Sequence, residues 1–453
     1  MQRWIPAVVL VLAPACATTA QPIETSPPPK PSYVLPAVEI VAFDAALHAF
    51  DRRYLNETGA FSVTPATIRR NLRAKWVVDD DLYEINQVGH PYQGSMYHGF
   101  ARSAGLNYWA ASAYTFAGSL MWEIAGETST PSINDQIASG IAGSFLGEAL
   151  FRTANLLIDK ADNRPGFGRM LLVLFLSPPT AANRALFGDR FDRVMPTRDP
   201  MYDARMQAGA SRDETMVDLS LDYGLPGTPT YDYRRPFDNF NVHAMLSSRS
   251  GLESFMTRGL LAGQDYARGM AVRGVWGLYG SYDYLSPELF RVSTTALSVG
   301  TTVQSWLSEH VALQGAALGG LGYAAAQVLP DAPAQGGREY HYGVAPQGVL
   351  SLRLVAADRV SLDLSAREYF VSNIGGLDGN GRDSITRADA SIGVRLYKRN
   401  AITVRYLVTS RNVSGADDAA PQSGAAYVLS RSSLALFYTL LGPQHFGAVD
   451  WRR

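Results

Sequence analysis

Cysteine is almost absent: Cys16 is the single one among 453 residues. No intrachain disulfide can form, and no cysteine-based metal site is possible. The sequence also lacks a long hydrophobic run. Past the N-terminus the nearest approach is MLLVLFL at 170–176, far short of the roughly 18 apolar residues that mark a spanning helix. This argues against an inner-membrane helical bundle. Charge of one sign is missing too. The formal net charge is −1, with no dense Lys/Arg run, which gives no support for nucleic-acid binding. Apolar material is plentiful, and a hydrophobic content of 47% argues against general disorder.

Arg3 precedes the apolar stretch Trp4 to Ala15, and small residues follow. That three-part form predicts a secretory signal peptide over 1–20, with cleavage after Ala17 or Ala20. A competing reading makes Cys16 the lipidated first residue of a mature lipoprotein, although Ala13 stands where such sites usually carry Leu. Residues 21–36 include PIETSPPPKPSYVLP and read as a Pro-rich extended linker.

The span 37–200 has a helical texture. Val38 to His48 predicts a short helix, and a second begins after Thr64 as N-cap with Pro65 at the first helical position. Further helices are expected over 103–125, 132–160 and 169–176, with Ser132 capping the middle one and Asp135 three positions on. Gly140, Gly143 and Gly147 recur at helical spacing. Each costs about 1 kcal/mol against Ala in a helix interior, so together they predict close contact with another helix or backbone.

From 213 to 453 the period changes to two. In VSLDLSA at 360–366 the residues Val360, Leu362, Leu364 and Ala366 share one face, while Ser361, Asp363 and Ser365 share the other. Similar alternation recurs through segments such as FNVHAMLS, VALQGAALGGLGYAA and RSSLALFYTL. Many segments reach the roughly 9–11 residues needed to cross a bilayer obliquely. Tight links such as AADR at 356–359 alternate with long ones such as GGLDGNGRDS and SGADDAAPQSG. The fold expectation is therefore α+β: an N-terminal helical module followed by an antiparallel transmembrane β-barrel of about 10–12 strands. Trp276, Tyr282, Tyr284, Trp306, Tyr323, Tyr369 and Tyr438 are expected as interfacial girdles. Asp222, Arg258, Asp265, Arg273, Arg353, Asp363, Arg367, Asp389, Arg395 and Arg405 fall on the non-lipid face as a lattice or polar passage.

Chemistry-bearing residues concentrate in NQVGHPYQGSMYHGFARSAGLNYW at 86–109, followed by GSLMWEIAGE and PSINDQIASGIAGSFLGEALFR. GHPYQGSMY, the spacing Ala101 to Gly105, GSLMWE, PSIND at 131–135, and the GE pairs at 126–127 and 147–148 resemble the bacterial family called domain of unknown function 3943. That resemblance implies presumed outer-membrane relatives and carries no established activity. Read physically, His90 with Glu123 or Asp135 forms a possible base and orienter, and Ser95 a nucleophile, for hydrolysis of a membrane lipid or glycan. His98, Arg102, Glu127, Asn134 and Glu148 form the surrounding polar cluster. A structural alternative pairs Glu123 with Arg102 or Arg152 and leaves Asn134 and Asp135 to start a helix. No motif names a cofactor, and the ligand spacing does not form a compact metal site.

These features predict a Gram-negative outer-membrane barrel with a plug-like or periplasmic helical module, active in envelope organisation or transport. The alternative is an embedded hydrolase or transferase acting on lipid or lipopolysaccharide. Outer-membrane lipid and the barrel-assembly machinery are the expected partners.

Overall fold

The computed structural model describes residues 30–55, 59–79, 81–188, 195, 198–227, 231–287, 290–327, 340–374, 381–414 and 427–451. The expected signal peptide, and the expected linker up to residue 29, lie outside them.

The helical part comprises α1 (Val34–Tyr54), α2 (Pro65–Asn71), α3 (His90–Ser103), α4 (Tyr108–Ala125), α5 (Ile133–Ile137), α6 (Gly143–Asp159), α7 (Phe167–Leu176) and α8 (Pro178–Phe187). Helix α1 starts inside the expected linker, since Pro36 sits in its first turn, where a missing N–H costs nothing. Thr64 caps α2 by accepting from the Thr67 backbone N–H. Two π-turns, Ile85–Gly89 before α3 and Ala138–Ala142 between α5 and α6, interrupt the regular winding.

The remaining chain forms twelve antiparallel strands: β1 (Tyr202–Ala210), β2 (Thr215–Tyr223), β3 (Phe240–Ser247), β4 (Gly251–Arg268), β5 (Val272–Leu285), β6 (Arg291–Ser308), β7 (Val311–Gln327), β8 (Tyr340–Ala356), β9 (Val360–Ile374), β10 (Gly381–Tyr397), β11 (Asn400–Ser414) and β12 (Tyr427–Leu441). Each pairs with its sequence neighbours, and β1 closes the ring on β12 with Arg205 opposite Leu441 and Ala210 opposite Leu436. Closure leaves no sheet edge and satisfies the strand backbone without water. Strand β1 lies ahead of the expected barrel start at 213. Its outward residues Tyr202, Ala204, Met206 and Ala208 carry a weaker apolar signal than those of later strands. GRDS at 381–384, expected in a long link, opens β10 instead.

Successive side chains along a strand alternate between the two faces of the wall. Arg205, Asp218, Arg258, Gln314, Arg353, Asp363 and Arg405 converge on a lumenal cavity of about 200 Å³. The opposite parity carries exposed Val217, Leu219, Leu278, Val299, Leu352, Leu364, Ile392, Val404 and Leu436. A polar interior and an apolar exterior are the arrangement a bilayer demands. Trp276 and Tyr438 stand exposed on the outer face, as a girdle requires. Tyr369 instead points into the lumen and donates to Asp283, because its parity is odd on β9.

The charged lattice is present. Arg353 reaches Asp203 and Asp222, each at 3.0 Å, and also pairs with Asp363. Arg205 meets Asp363 at 3.2 Å, and Arg367 meets Asp283 at 3.1 Å. Asp265 falls outside the lattice and is exposed; Arg395 pairs with Asp358 in the turn between β8 and β9. Apolar material fills both mouths. At the short-turn end the segment after β12 folds back, burying Phe446 and Val449 against Ala312, Val355 and Ala401, and the Gly447 carbonyl accepts from Gln314 at 2.5 Å. At the long-link end Phe290 packs with Met256, Ala324, Ala345, Tyr369 and Ile385.

Candidate functional site

The helical module is not a plug. It packs on the outer surface of the barrel. Parity decides this: Ser281 and Asp283 of β5 contact lumenal Gln347 and Arg367, so Gly280, Tyr282 and Tyr284 face outward. A Cβ at Gly280 would collide with the Phe145 ring of α6, and Tyr282 donates to the Gln87 carbonyl. Tyr83 packs with outward Tyr284 and Ala325 and donates to the Ala325 carbonyl at 3.2 Å. At the other rim Tyr108, Phe145, Ala149 and Leu156 bury themselves against Tyr202, Leu221, Tyr223 and Phe240. The contact strip thus crosses the wall diagonally from the short-turn ends of β1 to β3 to the long-link ends of β5, β7 and β8. The module is confined to neither mouth.

Helices α3 and α6 run side by side in the same direction, and glycine sets their separation. A Cβ at Gly143 would lie 2.6 Å from the Gly94 Cα, and one at Gly147 would lie 2.7 Å from the His98 Cβ. The third glycine of the series, Gly140, meets the Phe116 ring of α4. Close approach is what the sequence spacing predicts.

This parallel register creates two buried polar groups. In the first, Glu148 receives Arg102 at 2.6 Å, Arg152 at 2.8 Å and His98 at 3.1 Å. Arg152 continues to Asp238 at 3.0 Å in the link between β2 and β3, which ties the module to the wall. Glu148 and His98 are 0% exposed. Burial pushes the Glu148 carboxyl up, but the two guanidinium groups and His98 outweigh it and hold the carboxyl well below its usual range. Isolated buried charges would be prohibitive, so the cluster is mutually dependent.

The second group holds the residues singled out for chemistry. His90 Nδ1 lies 3.2 Å from Ser139 Oγ, and His90 Nε2 lies 3.6 Å from Asp135 Oδ2. Asn134 donates to Asp79 at 2.8 Å and to the Tyr342 hydroxyl at 2.9 Å. Burial and the neighbouring Asp79 push Asp135 well above its usual range, while burial pushes His90 down. Both shifts favour uncharged partners. Of the residues singled out in the sequence, His90 and Asp135 lie side by side, and Ser139, not among them, completes the group. Ser139 lies in the π-turn at 138–142, a distortion frequent at functional sites, and no sequence signal marks it. Ser95 does not reach His90; its hydroxyl donates to the Tyr92 carbonyl at 2.6 Å.

Glu123 pairs with neither Arg102 nor Arg152. It accepts from the Ser132 backbone N–H at 2.8 Å, because α4 carries it to the end of the module away from those arginines. Burial pushes it up to about 8. Glu127 accepts from the Trp122 indole at 2.7 Å and from Ser129 at 2.8 Å. Among the described residues no group of three or more His, Cys, Asp and Glu side chains is placed to hold a metal ion.

A closed twelve-stranded antiparallel barrel with a polar interior and an apolar exterior defines a transmembrane β-barrel protein, here with a helical module docked on its side. Residues 75–179, the heart of that module, match the family described as Domain of unknown function (DUF3943), the family its motifs resemble. No curated protein matches the chain. Among solved structures the chain is similar to a NanC porin (7% identity, TM-score 0.27, covering 53% of this chain and 98% of that one). It is also similar to a KdgM porin (6%, 0.24, 52% and 98%) and to outer-membrane expressed OmpT of Vibrio cholerae (8%, 0.19, 53% and 97%). The barrel assignment rests on the strand pairing of this chain itself.

Proposed function

We propose that this protein works in the bacterial outer membrane as a filled barrel that anchors its helical module beside the wall, and that its role is envelope organisation. The observation that carries this reading is the occupied lumen: Phe446 and Val449 fill one mouth, Phe290 fills the other, and the Arg353–Asp363 lattice lies between. A conduit needs a continuous polar path. Planar-bilayer recording tests the reading. Purified protein should insert without stable conductance steps, and steady porin-sized steps would overturn the anchor role in favour of transport.

A second reading is favoured by one arrangement, Ser139–His90–Asp135. A hydroxyl beside an imidazole is the pair that acyl transfer from a lipid ester requires, with His90 as the base that takes the Ser139 proton, while Asp135 borders His90 at 3.6 Å as an uncharged neighbour. Hydrolysis of ester-linked lipid in vesicles measures it directly. Turnover lost in both Ser139→Ala and His90→Gln supports an enzyme; turnover unchanged in both returns the cluster to a structural role.

A further inference from the structure

We infer that the outer side of the helical module is a lipid-contact surface: α4 and α7 lie against the acyl chains of the same bilayer that surrounds the barrel. This rests on the reading of the barrel as a membrane protein. The first argument is composition. Helix α4 is 18 residues long, roughly 27 Å at about 1.5 Å per residue, which approaches the hydrocarbon thickness of about 30 Å. Its exposed positions are Trp109, Ala113, Phe116, Ala117 and Leu120, none charged, while Glu123 is turned inward. On α7, Phe167 is 81% exposed and Phe175 78%. No described helix is long and apolar enough to cross a membrane alone, so the barrel must hold this one in place.

The second argument is continuity. On β5 the outward face runs from exposed Trp276 and Leu278 directly to Gly280 and Tyr282 beneath the module. On β7 exposed Leu321 leads to Ala325, which is covered by Tyr83. The module therefore stands at the level of the wall's apolar band, and whatever wets that band also wets α4. Its internal chemistry agrees. The contact between α3 and α6 rests on glycine and buried paired polar groups, a means by which helices associate in lipid, while α7 docks through Val173 on Ala154 and Ile158.

Nitroxide labels at single cysteines test this in reconstituted full-length protein, with native Cys16 replaced by serine. Phe116→Cys and Leu120→Cys report α4, Leu436→Cys the lipid face of β12, and Ser351→Cys the lumen. Power saturation should show α4 labels matching the Leu436 label, with strong relaxation by oxygen and weak relaxation by a water-soluble nickel chelate. A strong response to the chelate at α4, with the Leu436 label still in lipid, overturns the inference and leaves the membrane barrel standing. Labels at α4 shielded from both reagents overturn it in favour of a second copy covering the face. Chelate contact at Leu436 as well would fail the membrane reading itself.

Discussion

The barrel and the helical module bury charge in different ways, and the difference separates redundancy from dependence. In the lumen one arginine shares several carboxylates: Arg353 has Asp203, Asp222 and Asp363 within reach. In the module one carboxylate gathers several donors: Glu148 is the partner of Arg102 and His98 and shares Arg152 with Asp238. A lattice loses one link and relaxes, whereas a hub cannot.

Removing the hub should have the largest effect. Glu148→Gln leaves buried Arg102 without its carboxylate and Arg152 with Asp238 alone, a loss of about 3–5 kcal/mol. Limited proteolysis should then release the module while the barrel keeps its faster gel mobility before boiling; equal resistance in both parts would erase the contrast. Next comes Gly94→Ala, whose new Cβ falls on the Ser139 carbonyl. Overpacking of this kind costs about 1–3 kcal/mol, and it should loosen the same proteolytic fragment. Asp363→Asn should cost less, about 1–2 kcal/mol, read as a small drop in the temperature at which the barrel loses its compact gel form.

The smallest effect expected is one of pH. Glu123 ordinarily titrates near 4.5 and is raised to about 8 by burial. Between those values the folded module binds a proton that the unfolded chain does not. Its stabilising contribution is therefore complete below about 4.5 and declines as pH rises toward about 8. Protease protection of the module should fall across that window, and Glu123→Gln should flatten the slope.

Legibility in the sequence differed between the two regions for physical reasons. Strands β2 to β12 announce themselves by period two, because lipid outside and a polar lumen inside impose the same alternation on each. Strand β1 escapes because the module, not lipid, covers part of its outer face, and Ala204 and Ala208 suffice there. Helix α3 escapes because Gly94, Gly99 and Pro91 look like loop residues, although the glycines serve α6 and the Pro179 ring. His90 and Asp135 were visible as ionisable residues in an apolar setting. Ser139 was not, since only the parallel register of α3 and α6 brings it under His90. Which face of the barrel the module takes was equally hidden: nothing in the spacing of Phe145 or Tyr83 distinguishes Gly280 from Ser281.

That one-residue distinction gives the most direct test of the lateral docking. Phe145→Cys should be joined by a short bis-thiol reagent to Gly280→Cys, which faces outward, and not to Ser281→Cys, which faces the lumen, with native Cys16 replaced by serine in both. A link formed in intact membranes with Gly280→Cys alone is the result predicted for a module on the outer wall. A link with Ser281→Cys alone would place the helices inside the barrel and contradict the account.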